Sequence, residues 1–148
     1  MTTIAYRDGV IAGDGRETAG EDGYSTIIIR DNAIKVYTLP DGRLFGGSRT
    51  SEDIAILYDA LKDGVVKWPS PELGDINALC IDTDGKIYFY EGNKWEHVDT
   101  EYYSVGSGSV FAFAAMDAGA SAIEAVEVGK KRDPFSGGAV HSEVLKRA

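Results

Sequence analysis

What this chain lacks removes most chemistries before any motif is read. Its 148 residues hold one cysteine, so no disulfide framework and no thiolate cluster for a metal can be assembled from it. It holds two histidines, His97 and His141, both in strand-like segments without metal-ligand spacing, and neither an HExxH motif nor a Walker lysine occurs. No metal and no cofactor is expected. Basic charge is scarce as well. Fifteen Lys plus Arg stand against twenty-four Asp plus Glu, a formal net charge of -9, which argues against a general affinity for nucleic acid or anionic membrane. Apolar runs approaching the roughly 18 residues of a membrane span are missing too. No charged leader followed by an apolar stretch precedes the first strands, so a signal peptide is not expected and the cytoplasm is the expected compartment.

What remains is a composition with 43% apolar residues, enough to bury the core of one domain spanning residues 1–148. The lone Cys80 sits in the apolar run INALCID and reads as a buried core thiol. TTIAYRD and GVIAGDG flank Asp8-Gly9, and an Asp-Gly pair between alternating segments predicts a β-hairpin. RETAGEDGYS is rich in turn formers. STIIIRD, NAIKVYTL and GRLFGG read as strands, with a turn at Pro40-Asp41-Gly42. SEDIAILYDALKDG has a Ser cap, acids in its first turn and apolar Ile54, Leu57, Tyr58 and Leu61 at helical spacing, with Gly64 as stop. After KWPSPELGD, INALCID and KIYFYEG form a second hairpin about Thr83-Asp84-Gly85, and KWEHVD adds an edge strand. SGSVFAFAAMDAG and ASAIEAVEVGKKRD read as consecutive helices parted near Gly119, before SGGAVHSEVLK returns to a strand. Two antiparallel sheets must bury their inner faces on each other, which leaves helices to cover the outer ones: a layered α+β sandwich.

Chemistry is sparse in this pattern, apart from the chain start. Gly106-Ser107-Gly108-Ser109 before a helix can in principle cradle a phosphate, a weak signal by itself. An initiator Met followed by a small residue such as Thr2 is normally excised, which leaves an α-amine and a β-hydroxyl on one residue. The hydroxyl is a weak nucleophile. The amine, with a reference pKa of about 7.7 to 8, is substantially neutral near working pH and can take its proton.

Four ordered segments then resemble one family. TTIAYRDGVIAGDGR is similar to the opening of proteasome β-type subunits and of their bacterial relative, the peptidase partner of an unfoldase ring. NAIKVYTL resembles that family's lysine-bearing strand, YSVGSGS its Gly-Ser-Gly turn, and RDPFSGGAV its Arg-Asp-x-x-Ser-Gly-Gly element. The resemblance implies an N-terminal nucleophile (Ntn) hydrolase: a four-layered αββα sandwich of two antiparallel sheets flanked by helices. It implies Thr2 as nucleophile with its freed amine as base, Lys35 as the catalytic lysine and Asp14 as the acid orienting it. Ser107, Asp133 and Ser136 match the hydroxyl and carboxylate group that assists proton handling. Thr18 matches the position whose backbone aligns an extended substrate.

Taken alone, Asp14 reads as a turn residue, Lys35 as an exposed strand lysine, Ser107 as an N-cap or turn, and Asp133 and Ser136 as a helix end before Pro134. The oxyanion amide falls on Gly47, or on Arg49 if the register shifts by two. The connection KDGVVKWPSPELG is shorter than the family's second long helix, so one helical layer is expected to be thin. The function implied is peptide-bond cleavage of peptides or unfolded proteins within a homo-oligomeric ring, with an ATP-dependent unfoldase as possible partner. A non-catalytic ring or shell subunit, and an Ntn amidase on a small amide, are the alternatives.

Overall fold

The computed structural model describes residues 2–20, 26–48, 51–61, 76–91 and 94–146, without the side chains of residues 48 and 51–53. Strand β1 (Ile4–Arg7) turns into β2 (Val10–Gly13) through Asp8 and Gly9, whose φ angles of 51° and 81° are both positive, as a two-residue hairpin of this twist requires. The hairpin forms the centre of a four-stranded antiparallel sheet. Strand β10 (Tyr102–Val105) pairs with β1, and β11 (His141–Val144) pairs with β2. A second sheet runs as a meander in chain order: β5 (Val36–Thr38), β6 (Leu44–Ser48), β7 (Asn77–Ile81), β8 (Ile87–Glu91) and β9 (Lys94–Val98). As the sequence predicts, KWEHVD supplies the edge strand.

Three helices complete the described residues: α1 (Ser51–Leu61), α2 (Ser109–Asp117) and α3 (Ala122–Arg132). Gly119, at φ 103°, separates the last two, and α3 opens on a reciprocal capping box between Ser121 and Glu124.

Three buried clusters fill the three gaps between four layers. Between the sheets lie Ile4, Tyr6, Ile11, Val36, Leu44 and Leu79, among others. The intervening strand residues point outward: Phe45, Ala78, Cys80 and Tyr90 meet Ile54, Leu57 and Leu61 of α1, whereas Ala5 and Ala12 meet α2 and α3. Period-two alternation thus serves two cores at once. This is why INALCID reads as a continuous apolar run, and why burial pushes the Cys80 thiol up to about 12. The α+β sandwich with helices on both outer faces is as expected. The predicted thinning of a helical layer, the stop at Gly64 and the Ser51 side chain lie outside what the structure describes.

One segment departs from the prediction. Turn-rich RETAGEDGYS supplies a strand, β3 (Glu17–Ala19), which pairs with β4 (Ile27–Arg30) across a register irregularity between Glu17 and Thr18. Backbone pairing to β4 outweighs the local turn composition. Lys35 lies one residue ahead of β5 rather than within it.

Candidate active site

The start of the chain is built into the sandwich. Thr2 is 2% exposed. Its amide donates to Ser107 Oγ at 3.1 Å, and its carbonyl accepts from the Gly108 amide at 3.1 Å. Both partners lie on the turn between β10 and α2. Gly106 in that turn has φ +100°, and a Cβ there would stand 2.1 Å from the Thr2 carbonyl oxygen, so only glycine allows the approach. The phosphate cradle considered for this turn is not what it forms: Gly108 N–H serves Thr2, and Ser109 N–H serves the Gly106 carbonyl.

On one side of Thr2 lies a charged group. Lys35 Nζ donates to Thr2 Oγ1 at 2.8 Å, to Asp14 Oδ1 at 2.9 Å and to the Arg16 carbonyl at 2.7 Å. An ammonium has three N–H donors, and these acceptors fit them. Burial lowers the Lys35 pKa from its ordinary value, while the Asp14 carboxylate and its hydrogen bond pull the other way. Asp14 is fully buried. Its Oδ1 also accepts the Thr3 amide at 3.0 Å, and Oδ2 accepts the amides of Arg16 at 3.2 Å and Gly137 at 3.0 Å. Such a shell offsets the large cost of taking a carboxylate out of water. Asp14 is therefore no mere turn residue between its glycines.

On the other side lies a hydroxyl network. Asp133, which ends α3, accepts from Ser107 Oγ at 2.5 Å and from Ser136 Oγ at 2.6 Å, both on Oδ2, while Oδ1 accepts the Phe135 amide at 3.1 Å. Asp133 both ends its helix and joins the group around Thr2.

A cleft of about 450 Å³ opens beside Thr2 and Lys35. Thr18 and Gly47 line it together with Thr2, and Ile54, Tyr37 and Tyr58 form an apolar wall. Tyr37 and Tyr58 meet edge to face at 5.5 Å, and Phe45 backs Tyr58 at 6.1 Å, an arrangement that holds the wall rigid. The Gly47 amide donates to the Lys35 carbonyl at 3.3 Å. Arg49 lies outside the described residues. Thr2, Asp14, Lys35, Ser107, Asp133 and Ser136 thus come together, with Thr18 and Gly47 along the cleft.

Three contributors went unseen in the sequence. Thr3 occupies the strand alternation like any β-branched residue, and its identity beside Thr2 was the only cue. Arg16 and Gly137 act through main-chain groups, which carry no sequence signal. Among the described residues no cluster of His, Cys, Asp or Glu is arranged to hold a metal, and no helix is long and apolar enough to cross a membrane.

No protein-family model matches the sequence, and no curated protein does. Solved structures do. Eukaryotic HslV from Trypanosoma brucei superposes with a TM-score of 0.75 over 99% of both chains at 16% identity. This chain has the proteasome-like Ntn-hydrolase fold. Thiobacillus denitrificans BPH matches with a TM-score of 0.68, and its complex with epoxomicin with 0.67, each at 18% identity over 99% of this chain and 98% of that one.

Proposed function

We propose that this protein is an N-terminal threonine peptidase, active once Met1 is removed. The observation that carries this reading is the Lys35 ammonium, 2.8 Å from Thr2 Oγ1 and 2.9 Å from Asp14. In the full chain the Thr2 nitrogen belongs to the Met1–Thr2 peptide bond and cannot act as a base. Excision of Met1 converts it to an α-amine that still reaches Ser107.

Thr2 Oγ1 then attacks the carbonyl carbon of a peptide held along the cleft, and the hydroxyl proton passes to the amine. Lys35 donates to the oxygen as charge grows on it, and the amide of Gly47, released from or shared with the Lys35 carbonyl, donates to the oxyanion. The amine hands its proton to the departing nitrogen, the C–N bond breaks, and an ester on Thr2 remains. Water attacks the ester, again giving a proton to the amine, and the released acid leaves Thr2 as it began. The apolar wall of Tyr37, Tyr58 and Ile54 suits a peptide with an apolar side chain before the cleaved bond. The family resemblance supports a homo-oligomeric ring fed with unfolded chains by an ATP-dependent partner, and the cytoplasm, expected from the sequence, is the compartment proposed for it. The epoxomicin complex of Thiobacillus denitrificans BPH suggests the probe.

The test is intact mass before and after a peptide epoxyketone, a warhead that needs both the amine and the hydroxyl of an N-terminal threonine. Loss of Met1 and one adduct, absent in Thr2→Ala, are expected. Retained Met1 with no adduct sinks the proposal in favour of a non-catalytic subunit, and turnover of small amides but no peptide favours an amidase.

A further inference from the structure

Thr3 is fully buried although it carries a hydroxyl, and its polar groups connect the two sides of the site. Its amide donates to Asp14 Oδ1, the oxygen that also holds Lys35. Its Oγ1 lies 2.7 Å from Ser136 Oγ. The direction of that bond follows from proton counting. Ser136 has one hydroxyl proton and gives it to Asp133 Oδ2, so Thr3 must be the donor to Ser136. Ser107 likewise spends its proton on Asp133 at 2.5 Å rather than on the Thr2 carbonyl at 3.4 Å, and so accepts from the Thr2 nitrogen. The chain therefore runs from Thr3 through Ser136 to Asp133, and from the Thr2 nitrogen through Ser107 to the same carboxylate oxygen.

The fold keeps room for this hydroxyl at some expense. A Cβ on Gly108 would stand 1.8 Å from Thr3 Oγ1, and one on Gly129 would stand 2.7 Å from both its hydroxyl and its methyl. Gly129 lies inside α3, where glycine is disfavoured relative to alanine.

We propose that Thr3 is a positioning residue: by donating to Ser136 its hydroxyl holds Ser136 as a donor to Asp133, and so steadies the carboxylate that, through Ser107, orients the Thr2 nitrogen. The proposal rests on the peptidase reading for its kinetic consequence but not for its geometry. Thr3→Val keeps the shape and removes the donor, whereas Thr3→Ser keeps the donor and removes the methyl. With processed protein and a fluorogenic peptide, Thr3→Val is expected to lower kcat about tenfold at unchanged KM, with Thr3→Ser within about twofold of the parent. A packing role gives the reverse order, with Thr3→Ser the poorer and less heat-stable variant, and overturns the proposal. If Thr3→Val fails to fold, Ser136→Ala replaces it: a kcat loss at unchanged KM supports the network, and parental kcat overturns it.

NMR of the full chain supplies a readout independent of turnover. The slowly exchanging hydroxyl proton of Ser136 should shift in Thr3→Val and persist in Thr3→Ser. A parent that takes no epoxyketone but shows this pattern defeats the peptidase reading and leaves the network standing. An active parent whose Thr3→Val variant matches it in kcat and in the hydroxyl signal defeats the Thr3 proposal alone.

Discussion

Thr2 stands between two buried carboxylates that are handled in opposite ways. Asp14 meets a cation: Lys35 pairs with it at 2.9 Å, and three backbone amides complete its shell. Asp133 meets hydroxyls, with Ser107 and Ser136 on one oxygen and a backbone amide on the other. The Asp14 side fixes a charge next to the Thr2 oxygen, and the Asp133 side fixes proton directions next to the Thr2 nitrogen. Damage to the first leaves an ion without its partner. Damage to the second leaves neutral groups misdirected, a smaller loss in both stability and rate.

Asp14→Asn should therefore be the most damaging single change on either side. It strips a buried ammonium of its counter-charge, for which about 3–5 kcal/mol of destabilisation is the usual scale. It also removes the two largest influences that raise the Lys35 pKa, so that burial, which lowers it, is opposed only by the weaker pull of Glu17 and Asp133. Activity that needs the ammonium should then fail at a lower pH, so the alkaline limb of the rate profile moves down. The stability deficit has its own pH signature. A lysine whose folded pKa lies below its unfolded value binds fewer protons in the native state, so stability rises with pH between the two values. Denaturant melts should show the Asp14→Asn deficit narrowing toward alkaline pH. An unmoved alkaline limb would show that Lys35 does not act as an ammonium.

Asp133→Asn should do less. The side-chain amide still accepts from one hydroxyl, and no charge is stranded. About 1–3 kcal/mol of stability and a roughly ten- to hundredfold fall in kcat are expected, with the alkaline limb moved far less than in Asp14→Asn, because Asp133 is the smallest of the influences that raise the Lys35 pKa. Urea melts and pH–rate profiles of the two variants side by side read the contrast directly. If Asp133→Asn moved the alkaline limb as far as Asp14→Asn, the division between a charge side and a proton side would collapse.

How much of this was legible follows the same division between side chain and backbone. The hairpin that carries Thr2 and Asp14 announces itself in Asp8-Gly9, because positive φ at both positions restricts the residue choice. The two-sided burial of β7 shows in INALCID. β3 did not show, because Glu17–Ala19 owes its conformation to a partner strand and its own composition points to a turn. Lys35 and Thr2 are 33 residues apart and Ser107 and Asp133 are 26 apart, distances at which composition and periodicity say nothing. Only the family resemblance grouped them. The Arg16 carbonyl and the Gly137 amide belong to every residue type alike, so no reading of side chains could have found them. The direction of the Thr3 hydroxyl needed the full set of acceptors around it.

The smallest effect expected is also the most diagnostic of the proton side. Ser107 accepts from the Thr2 nitrogen and donates to Asp133, so Ser107→Ala deletes one link and leaves both carboxylates in place. Asp133 retains Ser136 and the Phe135 amide, and Lys35 retains Asp14. Stability should fall by about 1 kcal/mol, the ordinary net worth of one intramolecular hydrogen bond. The freed Thr2 amine, however, loses the acceptor that orients it, and misorientation acts on the proton transfer rather than on binding. A kcat loss of roughly tenfold at unchanged KM is expected, with epoxyketone labelling slowed in proportion, since that reaction also needs the amine placed beside the hydroxyl. Ser107→Thr retains the donor and acceptor and should recover part of the rate wherever its added methyl is accommodated. Should Ser107→Ala raise KM and spare kcat, the turn would be a substrate-binding element, and the proton side of the comparison would reduce to Asp133 and Ser136.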